Sequence, residues 1–239
     1  MITASADKLA RRELRRRLPR RGAPWYGAVF GALLFFLVAC WMGASLWRIP
    51  KEYLLATPWG WCLLGGLAAG ILLFPLWALT PLYVFGHELT HWLAAKATFH
   101  RTGAFRLGFT RGAVEIEGSS GLVALAPYVC PVFLLLSGGL AAFVSLLPLS
   151  LPPWVPLATA VWLGLCLAYH GVLTLLALRR GQRDLEVWGR YLSYPFILAG
   201  NLTALFVTVA LCSPRPSQLW EVPWALGKEL MALLRALLA

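Results

Sequence analysis

Charge is what this chain lacks most. Of its 239 residues only 13% are Asp, Glu, Lys or Arg, against about 25% in ordinary soluble domains. Acidic residues are the scarcest of these, with eight glutamates and two aspartates, and there are only four histidines. With 59% hydrophobic residues and a mean hydropathy of +0.70, the composition excludes a soluble domain and implies an integral membrane protein. The five cysteines (Cys40, Cys62, Cys130, Cys166, Cys212) form no CxxC pair. That argues against a cysteine metal cluster or a disulfide framework. Each sits in an apolar stretch and reads as a small buried hydrophobe. Internal repeats and low-complexity linkers are also absent.

The net charge of +11 raises the question of nucleic acid, and its distribution answers against it. Eight of the 21 basic residues lie in residues 8–21, and most others flank apolar runs. That is how a membrane protein sets its orientation. The basic arm followed by "FLVAC" has the look of a lipoprotein signal with Cys40 as acceptor. The apolar run continues through "WMGASLW", however, whereas the apolar part of a signal is only ~7–15 residues. A retained first span is the better reading.

The apolar segments are roughly 26–46, 60–98, 121–147, 154–178 and 190–212. A span needs ~20 residues, so 60–98 is too long for one straight crossing, and Pro75 and Pro81 should bend or break it. If that segment makes one net crossing from a cytoplasmic N-terminus, the cytoplasmic side holds 16 basic residues. Eight are in the arm, four in 96–111 and four in 179–190, and the other side has five. Two crossings would erase this imbalance, so the positive-inside rule favours one. The expected fold is an all-α polytopic membrane protein with about five to six transmembrane helices, placed in a bacterial inner membrane with its N-terminus cytoplasmic.

In "FRLGFTRGAVEIEG" apolar and polar residues alternate on both sides of a turn near Arg111-Gly112. This predicts a short cytoplasmic β-hairpin over about 99–118. Such a hairpin is either a connector or an edge for strand addition by an extended peptide. The domain plan is a basic arm at 1–25, a transmembrane unit at 26–212 and an amphipathic segment at 213–239. That last segment is long enough to lie in the interface and too charged for an obvious span. Asn201-Leu202-Thr203 fits a glycosylation sequon, but mid-segment, out of reach of any glycosylating enzyme.

Two of the four histidines and one glutamate fall in a single pentad, His87-Glu88-Leu89-Thr90-His91. On a helix, positions four apart share a face. Two imidazoles can then bind one Zn2+, with the glutamate activating a bound water. The alternative is a polar helix face hydrogen-bonded to its neighbours. A catalytic zinc needs a third protein ligand, and the candidates are His170 and Asp184. His100 follows the pentad too closely. His87 lies 11 residues before Thr98 and His170 nine before Arg179. They are thus at comparable depths of about 16 and 14 Å, which favours His170. Asp184 must fold back from a basic loop, where Gly181 permits a turn. Without zinc, His170 would make a helix–helix hydrogen bond and Asp184 an ion pair with Arg180 or Arg183. Pro127 and Pro131 in "APYVCP" should loosen their helix, and either line a water path or simply kink the packing.

The order of a membrane-embedded HExxH, a hairpin, further spans and a late acidic residue resembles the site-2 protease family of intramembrane zinc metalloproteases. The resemblance covers roughly residues 80–202. It rests on "GHELTHWLAA" and more loosely on "ALAPYVCP" and "YHGVLTLLALRRGQRDLEVWGRYLSYPFILAGN". It implies that His87 and His91 bind zinc, that Glu88 is the catalytic base, and that Asp184 is the third ligand. The substrate would be a membrane protein, cut within or near a span inside the lipid bilayer, and no nucleic acid is involved. A regulatory membrane partner is compatible with this scheme and is not specified by it. The chain departs from the family in setting its aspartate in "GQRDLEVWG" and in lacking a PDZ-like insert. It looks closer to a compact, divergent bacterial branch in which a histidine like His170 precedes the aspartate. The other expectations are a non-catalytic membrane scaffold that retains a zinc site, and a metal or proton transporter using His87, His91 and His170.

Overall fold

The computed structural model describes residues 25–77, 79–118, 120–213 and 216–238. Apart from Trp25, the expected basic arm lies outside the described residues. In chain order the elements are α1 (Trp25–Trp47), α2 (Glu52–Leu55), α3 (Pro58–Leu73), α4 (Thr80–Ala97), β1 (Thr102–Leu107) and β2 (Gly112–Ile116). There follow α5 (Gly121–Val129), α6 (Val132–Ser145), α7 (Trp154–Arg180), a 3-10 turn (Arg183–Glu186), α8 (Arg190–Cys212) and α9 (Pro216–Leu238).

Three helices are long and apolar enough to cross a membrane: Tyr26–Trp47, Trp154–Arg180 and Arg190–Ala210. The pair α5–α6 makes a fourth if counted as one span bent by 66°. Among the described residues, three or four helices thus pass on length and composition, against the five to six expected, and prolines shorten the others. They divide the runs 60–98 and 121–147 into shorter helices. The 16 residues of α3 reach about 24 Å, short of a ~30 Å hydrocarbon core. α4 has the length, but its histidines and glutamate take away its apolarity.

The break between α3 and α4 has a local cause. Pro75 ends the first helix in a turn, and Leu79 takes a left-handed conformation at φ 43°. Pro81 sits in the first turn of α4, where its missing N–H leaves no bond unmade. α4 ends in a Schellman motif: the amides of Phe99 and His100 donate to the carbonyls of Lys96 and Ala95 at 3.1 and 2.8 Å, with Phe99 left-handed at φ 59°. The chain thereby turns into the hairpin.

That hairpin is antiparallel, with Phe105 opposite Val114 and Leu107 opposite Gly112, and an irregular register between Thr102 and Phe105. Glu115 serves the irregularity. Its carboxylate accepts from the Ala104 amide at 3.3 Å and pairs with Arg106 at 3.1 Å.

α3 packs along α7, and α1 along α8. The first contact is made through small residues. A Cβ on Gly66 would strike the Val161 carbonyl, and one on Gly164 the Leu63 carbonyl. Among lipid tails, close backbone approach of this kind replaces the hydrophobic drive as the source of helix association. One core cluster, including Met42, Leu63, Leu163, Cys166, Phe206 and Leu219, joins α1, α3, α7, α8 and α9. A second, of Leu125, Tyr128, Ala177, Leu185 and Ile197, joins α5, α7, the 3-10 turn and α8. The cysteines fit their expected role only in part. Cys166 is buried and Cys62 and Cys130 are half-buried, but Cys40 faces out of the bundle. An apolar thiol needs no burial when its surroundings are lipid.

α9 occupies the expected C-terminal segment. Leu219 is buried, Trp220 meets Phe206 edge-on at 5.7 Å, and Glu229 pairs with Arg48 at 2.6 Å. It therefore lies across the ends of α1 and α8.

Candidate metal centre

His87 and His91 stand one turn apart on α4, with their Nε2 atoms 3.1 Å apart. Asp184 Oδ2 is 3.5 Å from the first and 3.7 Å from the second. Bonds of ~2.1 Å around a tetrahedral zinc ion give ligand–ligand edges of about 3.4 Å. The three atoms thus already have the dimensions of one face of such a shell. Together they form a group that could hold a metal ion, with the fourth corner left for water or substrate.

Each donor is held by a second contact. His91 Nδ1 lies 2.9 Å from the Val123 carbonyl and donates to it, which leaves the Nε2 lone pair directed at the triangle. In a regular helix that carbonyl would accept from the N–H of residue 127. Residue 127 is a proline inside α5 and has no N–H to give. The proline therefore frees the acceptor that orients His91. The Tyr128 hydroxyl donates to Asp184 Oδ2 at 2.9 Å, and its ring meets His87 edge-on at 5.5 Å. Burial works to raise the Asp184 pKa. The neighbouring imidazoles of His87 and His91, with the Tyr128 hydroxyl, outweigh it and hold the carboxyl below the usual carboxylate range, so the group remains an anionic donor.

Asp184 reaches the histidines because α7 stops at Gly181, left-handed at φ 69°, and the 3-10 turn doubles back. Leu185 anchors that turn: it is 1% exposed in the second core cluster, and its carbonyl accepts from Ser193 Oγ at 3.1 Å. The ionic partners of Asp184 among the described residues are the two histidines, not Arg180 or Arg183.

His170 stands elsewhere. Depth alone favoured it as third ligand, and its ring does line the same pocket as His87. Among the described residues, however, its Nε2 is buried without a hydrogen-bond partner, its ring interacts with the Tyr128 carbonyl, and it is outside the metal-holding group. Equal depth does not make two residues point at one another. His100 is also outside the group, its Nδ1 2.8 Å from Thr98 Oγ1.

Glu88 is half-buried against the hairpin. A Cβ on Gly112 would lie 2.5 Å from Glu88 Cγ and 2.9 Å from Val84 Cγ1, so glycine at this position lets β2 lie directly on the motif. The pocket beside the histidines runs to the α5–α6 break and is walled by Tyr83, Pro127, Tyr128, Pro131 and Tyr169. The two prolines thus line it, as one reading of "APYVCP" expected.

Four residues that serve this centre were not singled out from sequence: Val123, Tyr128, Leu185 and Asn201. Asn201 Nδ2 donates to the carbonyls of Tyr128 and Ile197, each at 2.8 Å, which gives the false sequon a structural role. A tyrosine between two prolines was the one visible signal. A backbone carbonyl leaves no trace in residue identity. No family model, curated protein or solved structure matches the chain.

Proposed function

We propose that this chain is an intramembrane zinc metalloprotease of site-2 protease type, hydrolysing a peptide bond in or near a substrate's transmembrane segment. The observation that carries the reading is the triangle of His87, His91 and Asp184, with Glu88 in the same helical turn. Two imidazoles and a carboxylate are a donor set suited to catalytic zinc, and they leave one position open. Bound zinc would supply a Lewis acid and lower the pKa of a water to ~7. Glu88 accepts the proton of the attacking water. It returns that proton to the amide nitrogen as the peptide C–N bond breaks and the new C–O bond forms. Tyr128 and Val123 keep Asp184 and His91 aimed throughout. The hairpin, held on the motif at Gly112, offers backbone edges to a substrate unwound to an extended strand.

The transporter reading draws on one observation, that His170 shares a pocket with His87. The scaffold reading has no feature of its own beyond the metal group. A Glu88→Gln variant separates the protease reading from the other two. A protease loses cleavage by about 10²–10⁴-fold or more while zinc content, measured by elemental analysis of the purified protein, is unchanged. Function that survives in Glu88→Gln, or native protein that purifies with no zinc from zinc-replete cells, sinks the protease reading.

A further inference from the structure

We propose that the cleft between α1 and α9 is a binding site for an anionic phospholipid. Lys228 and Arg235 would take its phosphate group, and the aromatic floor its acyl chain. The cleft is walled by Trp41 of α1 and by Trp224, Lys228, Met231 and Arg235 of α9. Positions 224, 228, 231 and 235 follow one another at helical spacing, so these four α9 side chains make a single stripe. Gly227 faces Trp41 across the cleft: a Cβ there would reach ordinary van der Waals contact with Trp41 Cζ2, at 3.9 Å.

The charge is as particular as the shape. Arg48, the residue just past the end of α1, is neutralised by Glu229. Lys228 and Arg235 have no acidic partner among the described residues, and Glu221, two turns before Lys228, is outside the cleft. The two uncompensated cations are seven residues apart, about 10 Å along the helix, and their flexible stems allow both heads to converge on one phosphate. Long basic side chains lay their methylenes along apolar surface and keep the charge at the headgroup level.

The floor beneath them is apolar and open. Trp224 is 72% and Met231 52% exposed, on a helix that is not among the candidate spans. A helix with one strongly apolar face and cations beside it binds at the headgroup–acyl boundary. Amphipathic tryptophans favour that same depth. A phosphate diester that carries acyl chains and whose charge is not balanced by a cation of its own headgroup matches both halves of the cleft. Inorganic phosphate matches only the charge and a neutral lipid only the floor. This site is independent of the metal centre.

The test uses the full chain in detergent. Phosphatidylglycerol and phosphatidylcholine with identical acyl chains are titrated in, and bound lipid is counted by native mass spectrometry. The native protein should prefer phosphatidylglycerol by on the order of tenfold or more, the effect of two basic residues near an anionic lipid. A Lys228→Gln/Arg235→Gln double variant should lose that preference, whereas Arg101→Gln/Arg111→Gln, which removes two cations near the hairpin, should keep it. In parallel, phosphatidylglycerol with brominated chains should quench tryptophan emission less in Trp41→Phe/Trp224→Phe than in native protein. Equal binding of the two lipids by native protein overturns the proposal. So does a preference that survives the Lys228/Arg235 change, or displacement of the lipid by millimolar inorganic phosphate.

Discussion

Residues 58–73 and 80–97 belong to one apolar run in the sequence, and the fold uses its two halves in opposite ways. α3 is joined to its neighbour by what it lacks. Gly60, Gly66 and Gly70 are buried: the α2 backbone at Leu54 comes up against Gly60, the α7 backbone at Val161 against Gly66, and the Ala168 methyl of α7 against Gly70. α4 is joined by what it carries. His87 and His91 each reach a polar atom of another element, and three elements outside the run, α5, β2 and the 3-10 turn, close around them. Packing of the first kind tolerates no added volume but has no chemistry to lose. Packing of the second kind can lose its chemistry while the helices stay in place. The difference teaches that stability and function are separable along this one run. Substitutions in α3 should act on folding, and substitutions around α4 on metal.

The largest expected effect follows on the α3 side. Gly66→Leu places a branched side chain where even a Cβ would meet the Val161 carbonyl. Overpacking ordinarily costs about 1–3 kcal/mol and more where backbone must move. Here the obstacle is the backbone of α7 itself. Fluorescence-detected size-exclusion chromatography in mild detergent should show most of the variant aggregated or degraded. A monodisperse Gly66→Leu protein with native thermal stability would mean that α3 and α7 do not approach as described.

Much of this division was legible in the sequence, and the limits have physical causes. The pentad, the hairpin and the break near Pro75 are local features: helical spacing, alternation and a missing N–H each act within a few residues. The membrane class followed from composition, but the number of spans did not. An apolar run records only that its surroundings are apolar, and α3 and α5 are helices of 16 and nine residues, shorter than a straight crossing needs. The third ligand was undecidable between His170 and Asp184 because depth is one coordinate and the site needs three. Direction was set by Gly181 and by the burial of Leu185, a leucine with nothing in its identity to mark it. Val123 contributes through its carbonyl, which every residue possesses.

The second effect tests the α4 side at its closure. Asp184→Ala removes one corner of the triangle and leaves two imidazoles, too few for a stable site. His170→Ala removes a side chain that faces the same pocket without joining the group. Purified Asp184→Ala should lose its metal on dialysis against a weak chelator, while His170→Ala retains it at native stoichiometry. Both should keep native circular dichroism, because neither alters the glycine contact. The reverse outcome, metal kept without Asp184 and lost without His170, would overturn the assignment of the third ligand.

The smallest effect is the sharpest test, since the two kinds of packing predict opposite signs for it. Pro127→Ala restores an N–H at the position where a helix would use the Val123 carbonyl. A proline inside a helix costs about 3 kcal/mol relative to alanine, so the metal-free variant should unfold at a temperature equal to or above the native value. The same N–H now competes with His91 Nδ1 for one acceptor. Loss of such an orienting contact weakens metal binding by about 10–100-fold, and a carbonyl that accepts from both donors would bring the loss toward the lower figure. Chelator competition for zinc reads the affinity, and the visible spectrum of the Co2+-substituted protein reports whether the tetrahedral arrangement is disturbed. A variant that gains or holds stability while losing affinity locates the function of Pro127 in the carbonyl it leaves free. A variant that loses both together would make the proline an ordinary kink, and His91 would have to be oriented by something else.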